Sequence, residues 1–136
     1  MATDSDRPGA DLTELEVEAL HEVELGVEWL RRAHGKLLEF HHNTGHAMEH
    51  LAEAEELLRE SRHEDLADEI RDRHLPRGVV DEDRWSYDVL ESFEADFMTE
   101  LTAFEEFARM DLADGRRHVA ERRQEREWKR QADEEE

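Results

Sequence analysis

Histidines are concentrated in one short segment of this chain. Five of the nine, His34, His41, His42, His46 and His50, lie within seventeen residues. On a helix of about 3.6 residues per turn, the last three follow one another on one side. Imidazoles four residues apart can converge on one ion, and a carboxylate one turn away can complete its coordination. The spacing defines a candidate site for Zn, Fe or Mn whose ligands would be Glu39, His42, His46, Glu49 and His50.

Two alternatives compete with metal binding at this segment. The three histidines spaced by four residues lie roughly opposite the apolar stripe of Leu30, Leu37 and Met48, which favours a polar, solvated face. A proton-sensitive interface is the second alternative, because histidine changes its charge between about pH 5 and 8. His34 and His41 fall on the apolar stripe itself, so we expect them to be hydrogen-bonded core or interface residues. The simplest expectation is therefore no cofactor, with one divalent metal as the alternative.

Basic residues gather near the C-terminus. Residues 115–130 contain seven Arg or Lys and three Glu, a net charge of +4, so the rest of the chain sums to −25. In concentrated salt, contacts to nucleic-acid phosphates lose most of their counterion-release advantage, which disfavours a nucleic-acid partner. Pairs such as Glu125 and Lys129, four residues apart, favour a solvated helix. The candidate residues for binding a protein partner are Arg116, Arg117, Arg122, Arg123, Arg126 and Trp128.

The chain as a whole is strongly acidic. It has 39 Asp and Glu residues against 18 Lys and Arg, a formal net charge of −21. Such charge destabilises a compact fold unless salt screens it, and the Debye length falls to about 3 Å in 1 M salt. The acid excess, with only two lysines, resembles the cytoplasmic proteins of halophilic archaea. This is a resemblance of proteome composition, not of family.

Targeting and redox signals are absent from the sequence. The chain has no cysteine, which excludes disulfides and thiolate sites. No apolar run approaches the ~18 residues of a membrane span, and the N-terminus is acidic where a secretory signal would be basic and then apolar. We therefore expect a cytoplasmic protein with no membrane partner.

The first long segment has one apolar stripe. Residues 1–10 predict a disordered acidic leader, and Thr13-x-x-Glu16 then has the spacing of a capping box. From Leu20 to Leu58, apolar residues recur at steps of three and four residues or their multiples. Asn43-Thr44-Gly45 has the composition of a turn, but the stripe keeps its phase across it. We therefore predict a first helix that is continuous or merely kinked.

Two further helices follow the first. Ser61-x-x-Glu64 also has capping-box spacing and predicts a short second helix that stops before Pro76. A third helix is expected from about Asp83 to Ala113, with Gly115 at its C-terminal cap. One face of this helix is expected to supply most of the core, through Leu90, Phe93, Phe97, Leu101, Phe104 and Ala108.

These elements predict an all-α fold: a long antiparallel helical hairpin or a four-helix-bundle-like arrangement, with a polar C-terminal helical extension. The predicted organisation is a leader over 1–10, a helical bundle domain over 11–114 and a charged C-terminal helix or tail over 115–136. A two-helix hairpin leaves apolar surface uncovered, so we expect a homo-oligomer, such as a dimer that completes a four-helix bundle. A compact monomer whose first helix breaks at Gly45 is the alternative.

The sequence contains no evident catalytic motif. The expected function is protein–protein interaction by a small halophilic helical-bundle protein. The alternative is a metal-binding bundle of ferritin-like or hemerythrin-like type that uses the histidine cluster.

Overall fold

The fold is all-α, as predicted. The computed structural model describes residues 12–134, which contain no strand, and the predicted leader at 1–10 lies outside them. Helix α1 spans Glu14–Glu60, and α2 begins as Glu64–Glu69 and continues in wider π-helical turns over Ile70–His74. Helix α3 is made of Ser86–Ser92, a π-helical stretch Phe93–Met98, and Thr99–Ala113, whereas α4 spans Val119–Glu134. None of these helices is long and apolar enough to cross a membrane.

The beginning and the middle of α1 follow the sequence pattern. The backbone N–H of Thr13 donates to Glu16 Oε1 at 2.9 Å, and that of Glu16 donates to Thr13 Oγ1 at 3.1 Å. The predicted capping box is therefore formed. The helix continues through Asn43-Thr44-Gly45, where the Thr44 hydroxyl donates to the carbonyl of Phe40 at 2.7 Å. The prediction of a continuous first helix is confirmed.

The predicted N-terminal cap of α2 is wrong, whereas its predicted end is confirmed. His63, not Ser61, precedes the first turn of α2. The Ser61 hydroxyl donates to a carbonyl at the end of α1, at 3.1 Å, and Arg62 has a φ of 69°, the left-handed conformation that ends many helices. These two residues therefore end α1 and do not begin α2. The π-helical turns end at His74, before Pro76.

The described chain forms two compact units. The first unit consists of residues 12–31 and 99–134, and the second consists of residues 32–98. A buried apolar cluster holds the first unit together, with Leu20 and Val119 only 1 % exposed. Its members come from the chain just before α1, the start of α1, the end of α3 and the start of α4, and they are Leu12, Val17, Leu20, Ala113 and Val119. The C-terminal extension is thus helical from Val119 onward, and Val119, the first residue of α4, is a core residue. The domain division at residue 114 stays a prediction.

The phenylalanines do not supply the core, so that expectation is wrong. Phe97, Leu101 and Phe104 are all exposed, and the buried residues of α3 are Ser86, Leu90 and Ala113. The reason is the π-helical stretch Phe93–Met98, since each π turn contains more residues than an α turn. The stretch shifts the phase of the helix, and a stripe extrapolated at 3.6 residues per turn does not stay on one face.

Candidate functional site

The five predicted metal ligands lie on the exposed surface of α1. All of them, Glu39, His42, His46, Glu49 and His50, are exposed. His46 Nδ1 lies 3.6 Å from Glu49 Oε2. Among the described residues, these five are not a group whose ligand atoms lie within 4.8 Å of one another. Metal binding by this set stays a prediction, and it would require the side chains to move together.

The two histidines assigned to the apolar stripe are hydrogen-bonded within the second unit. His34 Nε2 lies 2.6 Å from Glu94 Oε2, and the imidazole stacks on Phe93 with ring centroids 6.2 Å apart. His41 Nδ1 shares a 2.7 Å hydrogen bond with the hydroxyl of Ser86, which is buried. Both side chains are half-buried. The structure confirms the expectation that they are hydrogen-bonded packing residues.

The predicted partner-binding arm is divided by the structure. Arg123, Arg126 and Trp128 lie along a shallow, open part of the α4 surface, where the Trp128 ring is exposed. Arg116 lies before the helix, where its Nε donates to the carbonyl of Ala113 at 2.7 Å. Arg117 lines a different cavity, and Arg122 forms an ion pair with Glu125 at 3.3 Å. The six residues therefore do not share one site, and partner binding by them stays a prediction.

A different cluster of histidines and glutamates is assembled in the first unit. Glu24 of α1, His118 before α4 and Glu121 in the first turn of α4 each place one ligand atom within 4.8 Å of the others. His21 lies one turn before Glu24, and its Nδ1 is 3.6 Å from Glu121 Oε2. These four side chains line a cavity of about 220 Å³, to which Glu105 of α3 also contributes. We call these four residues the His/Glu cluster.

The connection between α3 and α4 positions His118. This short segment has left-handed backbone at Asp114, Gly115 and His118, with φ values of 51°, 82° and 59°. The carbonyl of His118 accepts the N–H of Arg122 at 2.7 Å, so His118 begins the hydrogen-bond ladder of α4. A left-handed non-glycine residue costs about 1 to 3 kcal/mol, and such residues occur preferentially at functional sites.

Negative charge accumulates at the His/Glu cluster. Burial raises the pKa of Glu24 above its ordinary value of 4.5, and the carboxylates of Glu121 and Glu105 raise it further, whereas His118 and His21 act in the opposite direction. Nδ1 of His21 is buried without a hydrogen-bond partner among the described residues. A buried polar atom of this kind normally has a partner. The cluster is thus short of positive charge and of one polar contact.

The raised pKa of Glu24 predicts that the free energy of unfolding of the protein falls with rising pH. An acid whose pKa is higher in the folded state binds its proton more tightly there, so stability falls as pH rises from 4.5 through the folded pKa. Glu24→Gln should remove this loss. With a chelator present to keep the protein free of metal ions, the free energy of unfolding of the variant should therefore increase relative to that of the wild type as pH rises through this window. Urea unfolding at several pH values measures the difference. A Glu24→Gln variant that parallels the wild type at every pH would contradict the assigned environment of Glu24.

Sequence reasoning missed the His/Glu cluster, although a signal was present. His21-x-x-Glu24 and His118-x-x-Glu121 have the same spacing, which on a helix brings two side chains to one face. Only the first pair lies within a helix, since His118 precedes α4. The local density of histidines instead favours residues 34–50 as the metal site. Two such pairs far apart in the chain meet only if the fold brings them together, and no local pattern shows that.

An exposed apolar face is the other unusual feature of the first unit. It lies on the last part of α3, where Phe104 and Phe107 are 54 % and 69 % exposed, and Leu101 and Met110 are also exposed. Successive members are three positions apart, so each adjoins the next, and together they form a strip that winds about half a turn around the helix from Leu101 to Met110. We call them the α3 apolar face. Contiguous apolar patches on a protein surface mark sites of association.

Comparison with known proteins assigns no family to this chain, since no family model matches it and no similar curated protein or solved structure was found.

Proposed function

We propose that this chain is a homo-oligomeric helical protein of a salt-rich cytoplasm, which acts through protein–protein association and not through catalysis. The observation that carries the proposal is the exposure of Leu101, Phe104, Phe107 and Met110 on one helix. The occupant we assign to this α3 apolar face is the same face of a second copy, because closed two-fold dimers are the commonest assemblies of soluble chains.

Aromatic content supports the assignment of association to α3. Phenylalanine rings bury large areas and often dominate the energy of an interface. A two-fold contact brings together the face of one chain and the face of its partner, so each of the four side chains contributes twice. The described surface of α4 exposes only Trp128 as a large apolar residue, so we assign this helix a secondary role, in contacts with an acidic protein partner.

Charge determines the conditions under which a second copy can bind. Exposed carboxylates of Glu100, Glu106 and Asp111 share the same helix segment as the apolar face. Two identical faces therefore repel each other in dilute salt. Molar salt shortens the Debye length to about 3 Å and removes most of this repulsion. Salt should therefore strengthen association between copies, whereas it would weaken a complex with a basic partner.

A substitution in the α3 apolar face tests the proposal. Phe104→Glu should weaken the dimer at about 1 M KCl by about 2 kcal/mol or more, since it removes a ring from the centre of the contact and adds a charge there. Sedimentation equilibrium over a range of protein concentrations measures the change. Because Phe104 is half-exposed in the single chain, the variant should keep its helical circular dichroism.

The matched control is Phe40→Glu, which makes the same chemical change at an exposed phenylalanine of α1. It should leave the dimerisation constant within a factor of about three, the equivalent of ~0.65 kcal/mol. Equal weakening by both substitutions would mean that added charge, and not the α3 apolar face, controls association. Unchanged association of Phe104→Glu would remove α3 from the interface.

A further inference from the structure

We propose that the His/Glu cluster is a binding site for a single divalent transition-metal ion, with Glu24, His118 and Glu121 as ligands and His21 as the fourth donor. This inference is independent of the proposed oligomer, because all four residues belong to one chain. It also concerns residues other than the histidine-rich face of α1.

The potential ligand atoms of the cluster lie close enough together to coordinate one ion after small side-chain rotations. A tetrahedral zinc site with bonds of about 2.0 to 2.2 Å places its ligand atoms roughly 3.3 to 3.6 Å apart. Here the atoms of Glu24, His118 and Glu121 lie within 4.8 Å of one another, and the His21–Glu121 separation is 3.6 Å. Rotation of side chains alone can supply the remaining contraction of about 1 Å, so the backbone need not move.

The donor set selects the class of metal. Ca²⁺ and Mg²⁺ are bound almost entirely by oxygen ligands, and Mg²⁺ retains several waters. Two imidazoles with two carboxylates instead suit zinc and its first-row neighbours. The buried Nδ1 of His21, which has no hydrogen-bond partner among the described residues, would donate its lone pair to the ion.

The charges around the cavity favour a cation over an anion. Its lining contains four carboxylates and two guanidinium groups, and one of these carboxylates, Glu105, is already bound by Arg109 at 2.6 and 2.9 Å. A divalent ion would relieve the mutual repulsion of Glu24 and Glu121. An anion in the same cavity would be repelled by those carboxylates.

A metal at this position would link distant parts of the chain. Glu24 and His21 belong to α1, whereas His118 and Glu121 belong to the start of α4. These segments are far apart in an unfolded chain, so the ion would bind the folded state preferentially and stabilise it. Metal binding should therefore be detectable both as stoichiometry and as thermal stability.

The test is titration of the metal-free, full-length protein with Zn²⁺. We expect calorimetry to show one strongly bound equivalent and the thermal midpoint to rise with Zn²⁺ concentration. His118→Asn should weaken the affinity at least about 100-fold, because the loss of outer-shell partners alone costs 10- to 100-fold. Asparagine tolerates left-handed backbone and is a favourable N-cap, so this variant keeps the local conformation of His118.

His46→Asn is the matched control, since His46-x-x-Glu49 has the same spacing on the exposed surface of α1. It should bind Zn²⁺ like the wild type. Glu24→Gln provides a second loss of binding that does not depend on the conformation of residue 118. Wild-type protein that binds no stoichiometric Zn²⁺ would overturn the proposal. So would binding that persists in both His118→Asn and Glu24→Gln, or that disappears in His46→Asn.

Discussion

Replacement of Leu20 by alanine is expected to lower the free energy of unfolding by about 2 to 5 kcal/mol, the range observed when a buried leucine is truncated. Leu20 is 1 % exposed and lies in the apolar cluster that joins α1 to the end of α3 and to Val119 of α4. The substitution removes apolar contacts and leaves a cavity between segments that are distant in sequence. Urea denaturation in concentrated KCl measures the loss, since urea does not change the ionic strength.

Leu15→Ala is the matched control for this prediction. It removes the same atoms from the same helix, but Leu15 is 77 % exposed. Its effect should stay below about 0.5 kcal/mol, as is usual for surface substitutions. Equal losses from the two substitutions would contradict the assignment of the core to the beginning of α1.

The thermal midpoint is expected to rise by about 10 °C or more between about 0.1 and 1 M KCl, the equivalent of roughly 2 to 3 kcal/mol for a chain of this size. Even if every Lys and Arg formed one ion pair, an excess of 21 carboxylates would remain. Salt reduces the repulsion among them. It also weakens favourable ion pairs, such as those of Arg59 with Glu55 and Asp68, both at 2.9 Å, but the acid excess outweighs these pairs.

A charge-reduced variant separates screening from other effects of salt. Replacement of the exposed Glu18, Glu22 and Glu56, all on α1, by glutamine should raise the midpoint at low salt and reduce its dependence on KCl. Scanning calorimetry of both proteins across the salt series gives the comparison. A midpoint that does not change with KCl in the wild type would contradict the proposal of a protein adapted to concentrated salt.

Local sequence signals correctly predicted the start and the continuity of α1 and the end of α2, but not the start of α2, because Ser61 ends α1 instead. Thr13 forms the capping box that its spacing with Glu16 indicates, and the phase of the apolar stripe correctly carried α1 through Gly45. Pro76 correctly limited α2: Leu75 before it still has helical dihedral angles, but the proline has no N–H with which to continue the helix. Each of these features depends on interactions within a few residues.

Features that depend on several segments were not predictable in the same way. The π-helical turns at Phe93–Met98 shift the phase of α3, and a pattern based on 3.6 residues per turn cannot anticipate them. Val119 begins a helix with a polar composition, yet it is buried against Leu12 and Leu20, which lie about one hundred positions away. The His/Glu cluster requires the same long-range contact, so neither charge nor spacing along the chain could locate it.

The mass of the particle in concentrated salt tests the central claim most directly. At about 1 M KCl and high micromolar protein, sedimentation equilibrium of the wild-type chain should give twice the 16.1 kDa mass of one chain, or a larger multiple. The Phe104→Glu variant should shift toward a single chain under the same conditions. A wild-type protein that remains at 16.1 kDa throughout would contradict association through the α3 apolar face.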